Sequence, residues 1–149
     1  MILLAHLLLG AVIGEKIKYL VLAIILSFLS HYFLDLFPHI EYPIENIKNN
    51  QWQKSFQDFL KVAVDFCLGI FIIFLLSDNS IKVYICAFFA ILPDGLTFLG
   101  YFLKNRLIKI HNDFHLKEIH FLKDKKISSY WRFLTQVIVI IISVILLKS

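Results

Sequence analysis

Long apolar runs alternate with short polar interruptions along this chain, and the run lengths set its elements. Residues 2–14 are apolar except for His6, and a helix of that length is only about 20 Å long, short of the roughly 30 Å hydrocarbon core of a bilayer. They predict a half-span or re-entrant helix, closed by Glu15-Lys16-Ile17-Lys18. Residues 19–37 predict a full span that stops at Pro38, because the residue before proline avoids the helical region. From Pro38 to Ser55 the chain is polar and punctuated by Pro43 and Asn49-Asn50, an interfacial loop with at most a short helix and Trp52 near its end. Residues 57–77 and 81–103 predict two further spans, joined by the turn residues Ser77-Asp78-Asn79-Ser80. Leu92-Pro93-Asp94-Gly95 interrupts the second of them and predicts a kink or unwinding. Residues 104–127 are too charged to span, and residues 128–148 form a last span entered by Trp131 and Arg132.

The expected fold is an all-α polytopic membrane bundle of about four long spans. A short N-terminal helix and a cytoplasmic amphipathic helix complete one integral-membrane domain, residues 1–149. Composition agrees: 59% of the residues are hydrophobic and the mean hydropathy is +0.77, against about 45–50% apolar for soluble domains. Met1 to Gly14 has no basic residue ahead of its apolar core and carries His6, so it reads as part of the mature protein and not as a signal peptide. Cys67 and Cys86 lie in separate apolar runs and read as buried thiols, without disulfide or thiolate-zinc spacing. The net charge of +4 need not mean nucleic acid. Lys48, Lys54 and the Lys and Arg residues of 104–132 fall on one side of the path, against Lys16, Lys18, Lys82 and Lys148 on the other, which makes the rich side cytoplasmic. Trp52 and Trp131 mark that same boundary.

Against this apolar background the ionisable residues stand out, because each costs about 2.5–3.5 kcal/mol to insert at a helix centre. His31 and Asp35 lie four apart and so project from one helix face, at metal-ligand spacing. His6, at the start of the first helix, His39 after the second, Asp65 and Asp94 all fall in the cytoplasmic half when measured at about 1.5 Å per residue. Asp65 can also pair with Lys61, and His39 can cap the helix end. Over 104–127, His111, His115 and Glu118 share a helical face with Leu107, Phe114 and Leu122, while Lys109, Asp113 and Lys117 point away. That face would lie over the mouth of the bundle, directed at His31 and Asp35. His120 reads as interfacial. Arg132 and Gln136, four apart, are placed to support the same interior. The candidate metal ligands are His31, Asp35, Asp94, His111 and His115, with His6, Asp65, His39 and Glu118 as supporting groups around them. Imidazole and carboxylate without thiolate suit zinc, with manganese or iron as alternatives.

Ser30, His31 and Asp35 in a Ser-His-x-x-x-Asp helix end, Leu92-Pro93-Asp94 at a helix break, the early His6 and the pair His111 and His115 resemble motifs of a known family. It is the predicted bacterial inner-membrane metal-dependent hydrolases, loosely akin to helical zinc-dependent phospholipase C proteins. Two features depart from it. The family's Pro-Asp-x-Asp-His is here Pro93-Asp94-Gly95-Leu96-Thr97, and the Pro-Asp motif follows the His-x-x-x-Asp motif instead of preceding it. The resemblance implies hydrolysis of an ester or phosphoester in the bacterial inner membrane, by a metal that acidifies bound water and polarises the substrate oxygen. Asp35 and Asp94 would be its catalytic carboxylates, each as ligand or general base. A site at the cytoplasmic interface favours a lipid head group, with Lys104, Arg106 and Lys109 attracting phosphate. A divalent-cation carrier and a non-catalytic membrane scaffold are the competing readings.

Overall fold

The computed structural model describes residues 1–42, 46, 51, 53, 55–103, 105–122 and 125–149. Within them the chain is all-helical: α1 (Leu3–Lys16), α2 (Leu20–Asp35), α3 (Phe56–Leu76), α4 (Ile81–Leu99), α5 (Arg106–Asp113) running into a π-helical turn (Phe114–Ile119), and α6 (Ser129–Lys148). Pro43, Asn49, Asn50 and Trp52 of the expected interfacial loop lie outside the described residues, as do Lys48, Lys54, Lys104 and Lys123.

Among the described residues three helices, α3, α4 and α6, are long and apolar enough to cross a membrane. The fourth expected span is shorter than the sequence suggests. α2 has 16 residues, about 24 Å of helix, because it ends at Asp35 and the chain turns through Leu36 and Phe37 ahead of Pro38. The outer faces of the helices carry large apolar side chains, among them Val21, Phe33, Phe71, Phe74, Phe88 and Ile145, all exposed. A surface this apolar is suited to acyl chains and not to water. Cys67 belongs to it: the thiol expected to be buried is exposed, whereas Cys86 is buried. α3 turns only a narrow stripe inward, with Gly69 and Ile73 buried, and Cys67 is off that stripe.

The short first helix is the centre of the molecule. α1 packs against α2, α3, α4 and α6, and Leu4, Ala5, Leu7, Leu8, Ala11 and Val12 are buried around its circumference. A helix apolar on every side is one surrounded by protein or lipid, and here it is protein. Two glycines one turn apart bring α1 onto α4. A Cβ at Gly10 would lie 2.6 Å from Ala90 Cβ and 2.8 Å from the Cys86 carbonyl oxygen, and one at Gly14 would lie 2.9 Å from Val83 Cα. This small-residue contact lets the backbones approach. Gly10→Leu is therefore expected to lower stability by about 1–3 kcal/mol or more through overpacking. Gly95→Ala, where a Cβ meets nothing within 4 Å, is expected to be neutral or stabilising, and Tm values in one detergent would compare the two.

Pro93 sits inside α4 without ending it. The helix runs from Ile81 to Leu99, so the expected unwinding is not seen. Proline still removes one N–H from the ladder, and one turn earlier the Ala90 carbonyl accepts a bond from outside the helix, donated by His31 Nδ1 at 2.8 Å.

The start of α1, the end of α2, the start of α3, the end of α4, the α5 segment and the start of α6 all meet at one end of the bundle. Asp65 acts there as a cap for α1: its Oδ2 accepts from the Leu4 N–H at 2.9 Å and from the Tyr42 hydroxyl. A carboxylate at the positive end of a helix dipole satisfies orphan donors and stabilises the helix. α6 fastens the chain leaving α2 by three successive carbonyls. Thr135 donates to Pro38, Arg132 to His39 and Gln136 to Ile40.

Candidate metal centre

Asp35 is the hub of the site. Its carboxylate is 1% exposed and faces imidazoles from four segments. His31 Nε2 lies 3.1 Å from Asp35 Oδ2, His115 Nε2 3.3 Å and His120 Nε2 3.3 Å from the same oxygen. On the other side, His6 Nε2 is 3.3 Å and His39 Nε2 3.7 Å from Oδ1. The Met1 amine donates to Oδ1 at 2.7 Å. Asp94 completes the wall, its Oδ1 3.6 Å from His31 Nε2.

The outward nitrogen of each ring near Oδ2 and of His39 is anchored. His31 Nδ1 donates to the Ala90 carbonyl and His39 Nδ1 to the Phe37 carbonyl, each at 2.8 Å; His120 Nδ1 donates to Glu41 Oε1 at 3.0 Å. His115 Nδ1 is hydrogen-bonded to Thr97 Oγ1 at 3.0 Å. A carbonyl can only accept, so neutral His31 and His39 carry their proton on Nδ1 and turn a lone pair inward on Nε2. This is the arrangement of metal-binding histidines, whose other ring nitrogen is held by an outer acceptor. His31 Nε2 and His115 Nε2 are only 3.1 Å apart. Two lone pairs facing each other so closely repel unless a proton or a cation lies between them.

The spacing fits a metal. Two donors each about 2.0–2.1 Å from one zinc, at a tetrahedral angle, lie about 3.3 Å apart. His31 Nε2, His115 Nε2 and Asp35 Oδ2 form a triangle with sides of 3.1, 3.1 and 3.3 Å. His31, Asp35, Asp94 and His115 offer donor atoms all within 4.8 Å of one another, and so do Asp35, His39 and His120. The molecule thus contains buried His/Asp clusters capable of coordinating a divalent ion. His6 points the same way: wholly buried and stacked on His31 with ring centroids 4.2 Å apart, it has neither ring nitrogen in a well-formed hydrogen bond. The 3.3 Å approach of Nε2 to Asp35 is an ion-pair distance with poor hydrogen-bond alignment.

Burial acts on His39, His115 and His120, which lie outside the long helices. It holds His39 down to about 4 and lowers His115, so both favour the neutral, metal-binding form. Burial opposes the charge on His120 as well, but hydrogen bonds to Asp35 and Glu41 outweigh it and raise the group to about 9. A metal at His120 would have to displace a proton.

Of the residues singled out from the sequence, His31, Asp35, Asp94 and His115 come together, and His6 and His39 reach the hub from its other side. His111 stops at the edge, its Nε2 3.2 Å from the Tyr32 hydroxyl. Asp65 is spent on capping α1. Glu118 is exposed and turned away. The 104–127 segment is rotated relative to the expected amphipathic face: Ile108 and Asn112 press on Gly100, just past the end of α4, and His115 and Ile119 are buried, while Leu107 and Phe114 are exposed. The π-helical turn then brings in a residue the sequence reading left outside. The His120 N–H bonds the His115 carbonyl five residues back at 3.2 Å, and the extra residue in the turn places both rings on the site. His120 is therefore buried in the cluster and not merely interfacial. Its partner Glu41 lies in the polar stretch after Pro38, where no helical spacing singles it out. No family model, curated protein or solved structure matches the chain.

A cavity of about 330 Å³ opens beside the cluster. Its polar lining comes from Asp94, Thr97, His115, His120, Glu41 and Tyr42, and its apolar lining includes Leu3, Phe59, Val62, Ile91, Phe98 and Leu116. The size, and a few polar groups set in a mostly apolar lining, are those of a small-molecule site.

Proposed function

We propose that the protein is an integral-membrane metal-dependent hydrolase of a lipid ester or phosphoester, with zinc as its first candidate metal. The observation that carries this reading is that the His31, His115 and Asp35 triangle reaches, through His115, an apolar cavity whose lining also includes Asp94. A divalent ion bound to the triangle would act as a Lewis acid and lower the pKa of water. The protein supplies the rest. Ala90 and Thr97 fix the two ligand rings, and the apolar walls take an acyl chain while keeping bulk water off the reacting bond. The Asp94 side chain, 29% exposed toward the cavity, is the general base, close enough to the ligands to receive a proton from water. The short Ser-His-x-x-x-Asp and Leu-Pro-Asp motifs support the same reaction class. The excess of Lys and Arg around the site end, including Arg106, Lys109, Lys117 and Arg132, supports a cytoplasmic orientation in a bacterial inner membrane.

The test is to purify the protein in detergent, remove metal with a chelator and restore zinc, manganese or iron. Release of water-soluble product from phospholipid vesicles is then followed. Metal-dependent turnover at least tenfold above the stripped protein is expected. Stoichiometric metal with no turnover on lipid or on soluble phosphodiesters would favour cation carriage, and absence of bound metal would favour a scaffold.

A further inference from the structure

Once His31, His115 and Asp35 Oδ2 are assigned to one ion, a second set of donors remains around the same carboxylate. His39 and His120 are each buried; His39 Nε2 is 3.7 Å from Asp35 Oδ1, while His120 Nε2 sits where the two sets meet, 3.3 Å from Oδ2 and 3.3 Å from His115 Nε2. Asp35, His39 and His120 offer donor atoms within 4.8 Å of one another. Between them is a separate small void of about 10 Å³, walled by these three side chains with Glu41, Pro38 and Arg132. Such a space is at the lower limit for one water and too small for an organic ligand.

The surroundings hold the donors in place. The Phe37 carbonyl fixes the tautomer of His39, and Glu41 orients His120. The three bonds from α6 to the Pro38, His39 and Ile40 carbonyls hold the backbone that carries His39. Two positive groups approach this side. Arg132 is engaged with the His39, Leu122 and Lys125 carbonyls, and the Met1 amine occupies one lone pair of Asp35 Oδ1. A carboxylate oxygen has a second lone pair to offer.

We infer that Asp35 bridges two metal ions, the second held by Asp35, His39 and His120. Three protein donors leave a coordination position open for water or a substrate oxygen. Two ions sharing a carboxylate, typically about 3.5–4 Å apart, clamp the attacking and leaving oxygens of a displacement. This inference rests on the metal reading of the His31 cluster, and the experiment separates the two. Chelator-stripped protein is reloaded with zinc alone and the bound metal counted. Two zinc ions per chain are expected in the wild type, and one in a His39→Ala, His120→Ala double variant. One zinc in the wild type, kept by the double variant and lost in His31→Ala, overturns the second site and leaves the first. No zinc in any form overturns both. Should the double variant fail to fold, the wild type loaded with manganese decides by electron paramagnetic resonance. A spin-coupled pair is expected, and an isolated six-line manganese spectrum at saturation overturns the inference.

Discussion

Asp35→Ala is expected to abolish metal binding altogether, and with it any hydrolysis. No other side chain in the site faces so many donors: three Nε2 atoms converge on its Oδ2 and two approach its Oδ1. Removal takes away the one carboxylate shared by both clusters and leaves buried imidazoles without their acceptor, at a stability cost of about 1–3 kcal/mol per unsatisfied group. Stoichiometric metal in wild type and background metal in Asp35→Ala is the predicted pair of measurements, with turnover falling to that of the stripped protein. Two controls sharpen it. Glu118→Ala, at an exposed position, is expected to change neither metal content nor turnover. His111→Ala removes a ring that bonds Tyr32 at the edge and is expected to retain the metal. Full metal content in Asp35→Ala would contradict the placement of this carboxylate at the hub.

The parts of this site legible in the sequence are those carried by regular helix. His31 and Asp35 are four apart on α2, and that spacing alone puts them on one face. Asp94 was noticeable as a carboxylate beside a proline in an apolar run, a position that lipid would not tolerate cheaply. The long apolar helices were legible for the same reason, since a run of apolar residues has few alternatives in a bilayer. What could not be read depends on local departures from regular geometry or on tertiary neighbours. His115 and His120 are five apart, and an α-helical wheel separates them; only the π-helical turn brings both inward. The register of α5 is set by Ile108 and Asn112 against Gly100, a contact between segments that periodicity within 104–127 cannot reveal. That rotation turns Glu118 outward and leaves His111 at the rim. The central place of α1 was hidden too. Its length suggested a half-span, whereas its uniform apolarity, with glycines at 10 and 14, is the mark of a helix enclosed by others.

Asp94→Asn is expected to separate chemistry from metal binding. The carboxylate stands 3.6 Å from His31 Nε2, a longer approach than either edge that His31 makes in the triangle, and its side chain is the part of the His31 cluster most open to the cavity. As general base it would accept a proton from water in the transition state, a contribution of about 10²–10⁴-fold in rate. The amide is nearly the same size, can still accept a hydrogen bond through its oxygen, and cannot take up that proton. Turnover is therefore expected to fall by about 10²–10⁴-fold while the bound metal stays at the wild-type level and substrate affinity changes little. The split between turnover and metal content is what distinguishes a base from a ligand. Were Asp94 a required ligand, metal content and turnover would fall together, and Asp94→Glu would not restore the metal unless the longer side chain reached the same position. Were it only a structural group, the amide would support both metal binding and turnover at close to wild-type levels.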